Sequence, residues 1–208
     1  MSRDRGGADD RLALACWLAW ASGAAFSRTL GIWAGVGGVA GILAVVVLLR
    51  ARRTLLPLLV PSTRLLAWGV VAAAVMVVAT RLLYELDRAG PGWATAGTTV
   101  LYALMRTGAP GWAIGVLLPL VVLGEELLWR GVVQEALRRR FGPMTTVGLA
   151  AGAYAAAHVP IGSPLLVGVA FACGCYWSAL RSHTGSLVPS LLCHLAWDVA
   201  IMVLWPLA

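Results

Sequence analysis

"WAIGVLLPLVVLGEELLWRGVVQEAL", residues 112–137, decides the fold. A helix apolar on all its faces belongs in a protein core or a bilayer, and about 20 such residues make one membrane span. Glu125, Glu126 and Arg130 interrupt the middle of this run. Each charge at membrane depth costs at least ~2.5–3.5 kcal/mol on insertion scales, so the default reading of the three is functional.

The rest of the chain has the same character. Of its 208 residues, 60% are hydrophobic and 12% charged, against about 25% charged in soluble domains. Apolar segments fall at roughly 12–27, 30–49, 65–84, 111–137, 144–160, 164–180 and 186–206. The stretch 93–107 is too polar to span and reads as an interfacial helix. The expected fold is all-α, a polytopic transmembrane helix bundle of about seven spans, with no internal repeat or linker.

All 16 basic residues are arginine, and the net charge is +7. These arginines cluster between apolar segments and form no soluble basic face, which argues against nucleic acid and for topology signals and anionic-lipid contacts. With the N-terminus inside, eleven of them (Arg3, Arg5, Arg11, Arg50, Arg52, Arg53, Arg64, Arg138, Arg139, Arg140, Arg181) fall on the cytoplasmic side. Arg28, Arg81, Arg88 and Arg106 fall outside, and an odd span count puts the C-terminus outside. The opening "MSRDRGGADDR" reads as a short tail before the first span, not a signal peptide. Cys16, Cys173, Cys175 and Cys193 lie in apolar segments without metal-finger spacing and read as small buried hydrophobes.

Sorting the ionisable residues leaves Glu125, Glu126, Arg130, His158, His194 and Asp198 inside spans. Glu126 and Arg130, four apart with the acid first, share a helix face and form an ion pair. Glu125 lies about 100° round the helix with no such partner, which suits a group that exchanges protons. His158 follows Tyr154 by one turn, and His194 and Asp198 share a face of the last span. At ~1.5 Å per residue, Glu125 is about 20 Å from Arg138, His158 about 21 Å from Met144, and His194 and Asp198 roughly 10–17 Å from Leu187. The groups therefore converge in depth. Taken singly, each has a plainer reading: a structural clamp for Glu126 and Arg130, an interhelical hydrogen bond for either histidine, orientation of His194 for Asp198, packing for Tyr154. Glu135, His183 and the ten tryptophans read as boundary residues or interfacial anchors.

In this order and at these spacings, "EELLWR" (125–130), "YAAAH" (154–158) and "HLAWD" (194–198) resemble the three motifs of the CAAX-protease and bacteriocin-processing (CPBP) superfamily. Those are intramembrane glutamic endopeptidases, including the Ras-converting type of prenyl protease and proteins like lysostaphin resistance protein A. The likeness covers about 115–205; it divides the chain into N-terminal transmembrane helices (1–110) and CPBP-like catalytic helices (111–208) of one compact membrane domain. The resemblance implies that Glu125 is the general base activating water, with His158 positioning it. It implies that His194 and Asp198 face the developing oxyanion, while Glu126 and Arg130 brace the site. Tyr154 stands where the prenyl proteases usually have phenylalanine. Asp198 stands where the eukaryotic enzymes have asparagine; ionised, it cannot donate to an oxyanion, so it must be protonated or orient His194. Glu125, His158, His194 and Asp198 are acceptable zinc ligands, but the His-x-x-x-His pattern of zincins is absent, and no cofactor is expected.

The expected activity is hydrolysis of a peptide bond near the C-terminus or membrane anchor of a membrane-associated protein. The Ala/Gly/Val-rich, lysine-free composition points to a GC-rich bacterial genome and the inner membrane, which favours bacteriocin leaders or C-terminal sorting tails over prenylated substrates. Two other classes compete: a non-enzymatic immunity or scaffold protein with the same polar core, and a proton-coupled transporter using Glu125 and the histidines as a relay. Against the transporter stand the missing inverted repeats and broken helix pair.

Overall fold

The computed structural model describes residues 3–106 and 111–208, and every regular element among them is helical. In chain order these are α1 (Arg3–Leu30), α2 (Trp33–Leu59), α3 (Thr63–Ala89), α4 (Trp93–Arg106), α5, α6 (Pro143–His158), α7 (Pro164–Thr184) and α8 (Val188–Leu204). Helix α5 begins as Gly111–Glu125, widens into the π-helical Glu126–Val133 and closes as Gln134–Arg138.

Helices α2, α3 and α7, of 27, 27 and 21 residues, are long and apolar enough to cross a membrane; α8 is a shorter apolar helix. The first helix starts at Arg3, so most of the charged opening segment is helix instead of a tail preceding it. Its Asp10 pairs with Arg140 beyond α5, which anchors the helix just before its apolar run. Of the stretch 93–107 expected to be interfacial, Trp93–Arg106 forms α4, whose inner face is Thr98, Leu101 and Tyr102, and residue 107 lies outside the described residues.

Helix α3 shows what solvent the surface is built for. Its buried positions are the small or slender Gly69, Ala72, Ala73 and Met76, while Val70, Val71, Val75, Val78 and Leu82 are exposed. A Cβ on Gly69 would sit 2.9 Å from the Leu192 side chain, so α3 and α8 pack at close range. Small residues inward and branched aliphatics outward is the pattern of helices whose packing is driven by close contact and whose outside is lipid.

The bundle has two ends of different charge. At one end the α2–α3, α5–α6 and α7–α8 connections meet. There Leu187 N–H donates to the Leu58 carbonyl at 2.9 Å, as does the Ser186 hydroxyl. Arg52, Arg53, Arg64, Arg138, Arg140 and Arg181 belong to this end. At the other, the Trp33 indole donates to Met105 O at 2.7 Å, Tyr102 donates to Ile201 O and Arg81 to Trp205 O.

Candidate active site

Helix α5 lies at the centre, in contact with α1, α2, α6, α7 and α8. All eight residues of its π-helical stretch are therefore buried. A wide i→i+5 turn of this kind recurs at functional sites, and here it begins directly after Glu125. Gly124 fixes the position: a Cβ there would lie 2.5 Å from the Ala40 carbonyl oxygen, so α5 and α2 touch backbone to backbone. His158 is the last residue of α6, because Pro160 stops the helix and Gly162, at φ +87°, turns the chain back toward α7.

These elements bring Glu125, His158, His194 and Asp198 together. The Tyr154 hydroxyl donates to Glu125 Oε2 at 2.8 Å. Glu125 Oε1 is 3.7 Å from His158 Nε2, and Oε2 is 3.5 Å from His194 Nε2. His158 Nδ1 lies 2.8 Å from the Tyr154 carbonyl. A carbonyl only accepts, so Nδ1 carries a proton and the ring turns its Nε2 toward Glu125.

The second carboxylate does more than clamp. Glu126 Oε1 meets Arg130 Nη1 at 3.2 Å and His194 Nδ1 at 3.0 Å. It is thus Glu126 that holds His194 Nδ1, while Asp198 Oδ2 stands 3.7 Å from Nε2 on the other side of the same ring. Around this cluster, Trp177 stacks on His194 at 3.6 Å with 21° between the planes. Arg130 sits between the faces of Tyr154 and Trp177, 4.8 and 5.0 Å from their centroids. Trp20 packs against both Trp129 and His158. Trp20, Trp129 and Trp177 are each 1% exposed, so these tryptophans are core and not boundary anchors. Their rings pack around the cluster, a placement that no periodicity in the sequence marks.

Glu125, Tyr154, His158, His194 and Asp198 form the polar wall of a cavity of about 110 Å³. That is room for several water molecules. The remaining lining is largely apolar and extends to Ile32, Ile161 and Leu166 at the arginine-poor end. Among the described residues no group of three or more His, Cys, Asp and Glu side chains has the geometry to hold a metal ion. All four cysteines are free thiols, three of them buried.

The family model described as type II CAAX prenyl endopeptidase Rce1-like matches residues 107–200, a stretch that contains all three motifs. Over this stretch the chain is similar to the Rce1-like family. The Rce1-like proteins are proteases of the CAAX type within the CPBP superfamily, and the match supports a membrane-embedded peptidase acting on a protein substrate. The match leaves out α1 to α4, of which α1 supplies Trp20 and α2 supplies Ala40 to the surroundings of the site. No curated protein and no solved structure shows significant similarity to the chain.

Proposed function

We propose that this protein is an intramembrane endopeptidase of the glutamic type, cutting a peptide bond near the C-terminus or membrane anchor of a membrane-associated protein. The observation that carries the reading is the position of Glu125, one oxygen held by Tyr154 and the other facing His158 Nε2 across 3.7 Å. That separation exceeds a hydrogen bond and suits two groups sharing one water. Glu125 takes a proton from this water as its oxygen attacks the substrate carbonyl. His194, as imidazolium, donates from Nδ1 to Glu126 and from Nε2 to the oxyanion of the tetrahedral intermediate. Collapse breaks the C–N bond, and Glu125 returns its proton to the leaving amine. The products are a carboxylic acid and a free amine, and no serine or cysteine nucleophile is needed. A metal is not required by this scheme.

The cavity approaches the arginine-poor end, and the positive-inside rule assigns that end to the outer face. The scissile bond is then presented from the outer leaflet side, with the substrate's anchor lying in the bilayer.

The test is the C-terminal peptide inventory of membrane proteins, by mass spectrometry, in cells carrying the wild-type chain or Glu125→Gln. Loss of a positioned general base slows the reaction by about 10²–10⁴-fold, so a tail trimmed in the wild type should persist in the variant. Trimming at the wild-type rate in Glu125→Gln removes the proposal. In membranes, trimming should continue in 1,10-phenanthroline; inhibition reversed by zinc would replace the carboxylate mechanism with a metal-based one.

A further inference from the structure

A second cavity, of about 590 Å³, opens at the arginine-rich end, on the opposite side of Arg130 from the catalytic cluster. Arg138, Arg181, Gln134 and Ser182 contribute to its lining, with Glu135 as the acid among them. Glu135 is held by Arg138 through two hydrogen bonds of 2.8 and 3.0 Å. Its Oε2 is also 3.7 Å from Arg181 Nη2, beyond hydrogen-bond length. Two guanidinium groups therefore share one carboxylate, and a positive charge is left over.

Arg181 is the informative residue. It is only 6% exposed, and its Nε makes no hydrogen bond. A buried guanidinium donor without an acceptor is costly and calls for an anion that supplies one. Ser182 Oγ accepts from Gln134 at 2.9 Å, so its own proton is available to the cavity. The same Gln134 amide donates to Ser178 O at 2.9 Å, which fixes α5 against α7 and holds the walls apart. Leu58 and Phe141 lie among the lining residues, and the cavity sits where helix connections meet at the arginine-rich end.

We propose that this cavity binds a phosphate group, held by Arg181, Arg138 and Ser182. Forked guanidinium donors match phosphate oxygens, and basic pockets between helices at the cytoplasmic face take anionic headgroups. The chemistry is shared by the headgroup of an anionic phospholipid and by free phosphate.

The experiment measures the thermal unfolding midpoint of the purified chain in detergent with phosphatidylglycerol, phosphatidylcholine or inorganic phosphate. A ligand at about 100 times its Kd should raise the midpoint by about 5–10 °C. Phosphatidylglycerol alone giving the shift identifies a lipid site; inorganic phosphate giving it too identifies the free anion. Either shift should be lost in Arg181→Gln and reduced in Arg138→Gln, an exposed position that the fold tolerates. No shift with either anion, or the same shift in Arg138→Gln and in a folded Arg181→Gln, overturns the proposal.

Discussion

Arg130 is 1% exposed, and none of its guanidinium nitrogens makes a well-formed hydrogen bond. What holds it is charge and ring faces: Glu126 at 3.2 Å, with Tyr154 and Trp177 on either side. Removing one member of such a buried pair leaves the other uncompensated, at about 3–5 kcal/mol. Arg130→Met should therefore lower the unfolding midpoint and the membrane yield sharply. Adding Glu126→Gln removes the orphaned charge and should restore much of the stability, since coupled neighbours are not additive. Processing should stay low in the double variant, because His194 loses the carboxylate that orients it. Recovery of both stability and processing would mean that Glu126 acts only as a clamp.

At the scale of elements, the contact between α2 and α5 sets where Glu125 stands. Gly124→Ala places a methyl group 2.5 Å from the Ala40 carbonyl oxygen, a backbone atom that cannot swing aside. Overpacking of this kind costs about 1–3 kcal/mol, and it displaces the helix that carries Glu125. Processing should fall along with the unfolding midpoint. Gly148 on α6 provides the contrast, with nothing within 4 Å of its added Cβ. Gly148→Ala should leave processing unchanged and raise stability by about 0.5–1 kcal/mol, the usual gain for replacing a mid-helix glycine. Equal effects from the two substitutions would contradict this account of the α2–α5 contact.

At the scale of the whole molecule, the asymmetry of the two ends makes a topology prediction. A cysteine placed at Gly92, in the α3–α4 connection, should react with a membrane-impermeant maleimide in intact cells, above the background of the native thiols. One placed at Gly142, between α5 and α6, should react only after permeabilisation. The reverse labelling would put the catalytic cavity on the cytoplasmic side.

The sequence alone determined the fold class and nominated the residues of the candidate site. Apolar run length identifies helices of a membrane bundle, because the bilayer demands internally bonded backbone. Charge scarcity picks out Glu125, Glu126, Arg130, His158, His194 and Asp198, since so few ionisable groups remain in an apolar chain. Helical spacing also pairs Glu126 with Arg130, as both lie on one turn of one helix. Tertiary structure alone decided what crosses between helices. It put Glu126, not Asp198, on His194 Nδ1, turned three tryptophans inward around the site and widened α5 after Glu125. Spacing along one helix reports which residues share a face, whereas the partner facing them depends on how closely and at what angle another helix approaches. In this chain that approach is set by single positions such as Gly124 against Ala40, where the absence of a side chain leaves no periodic signal to read.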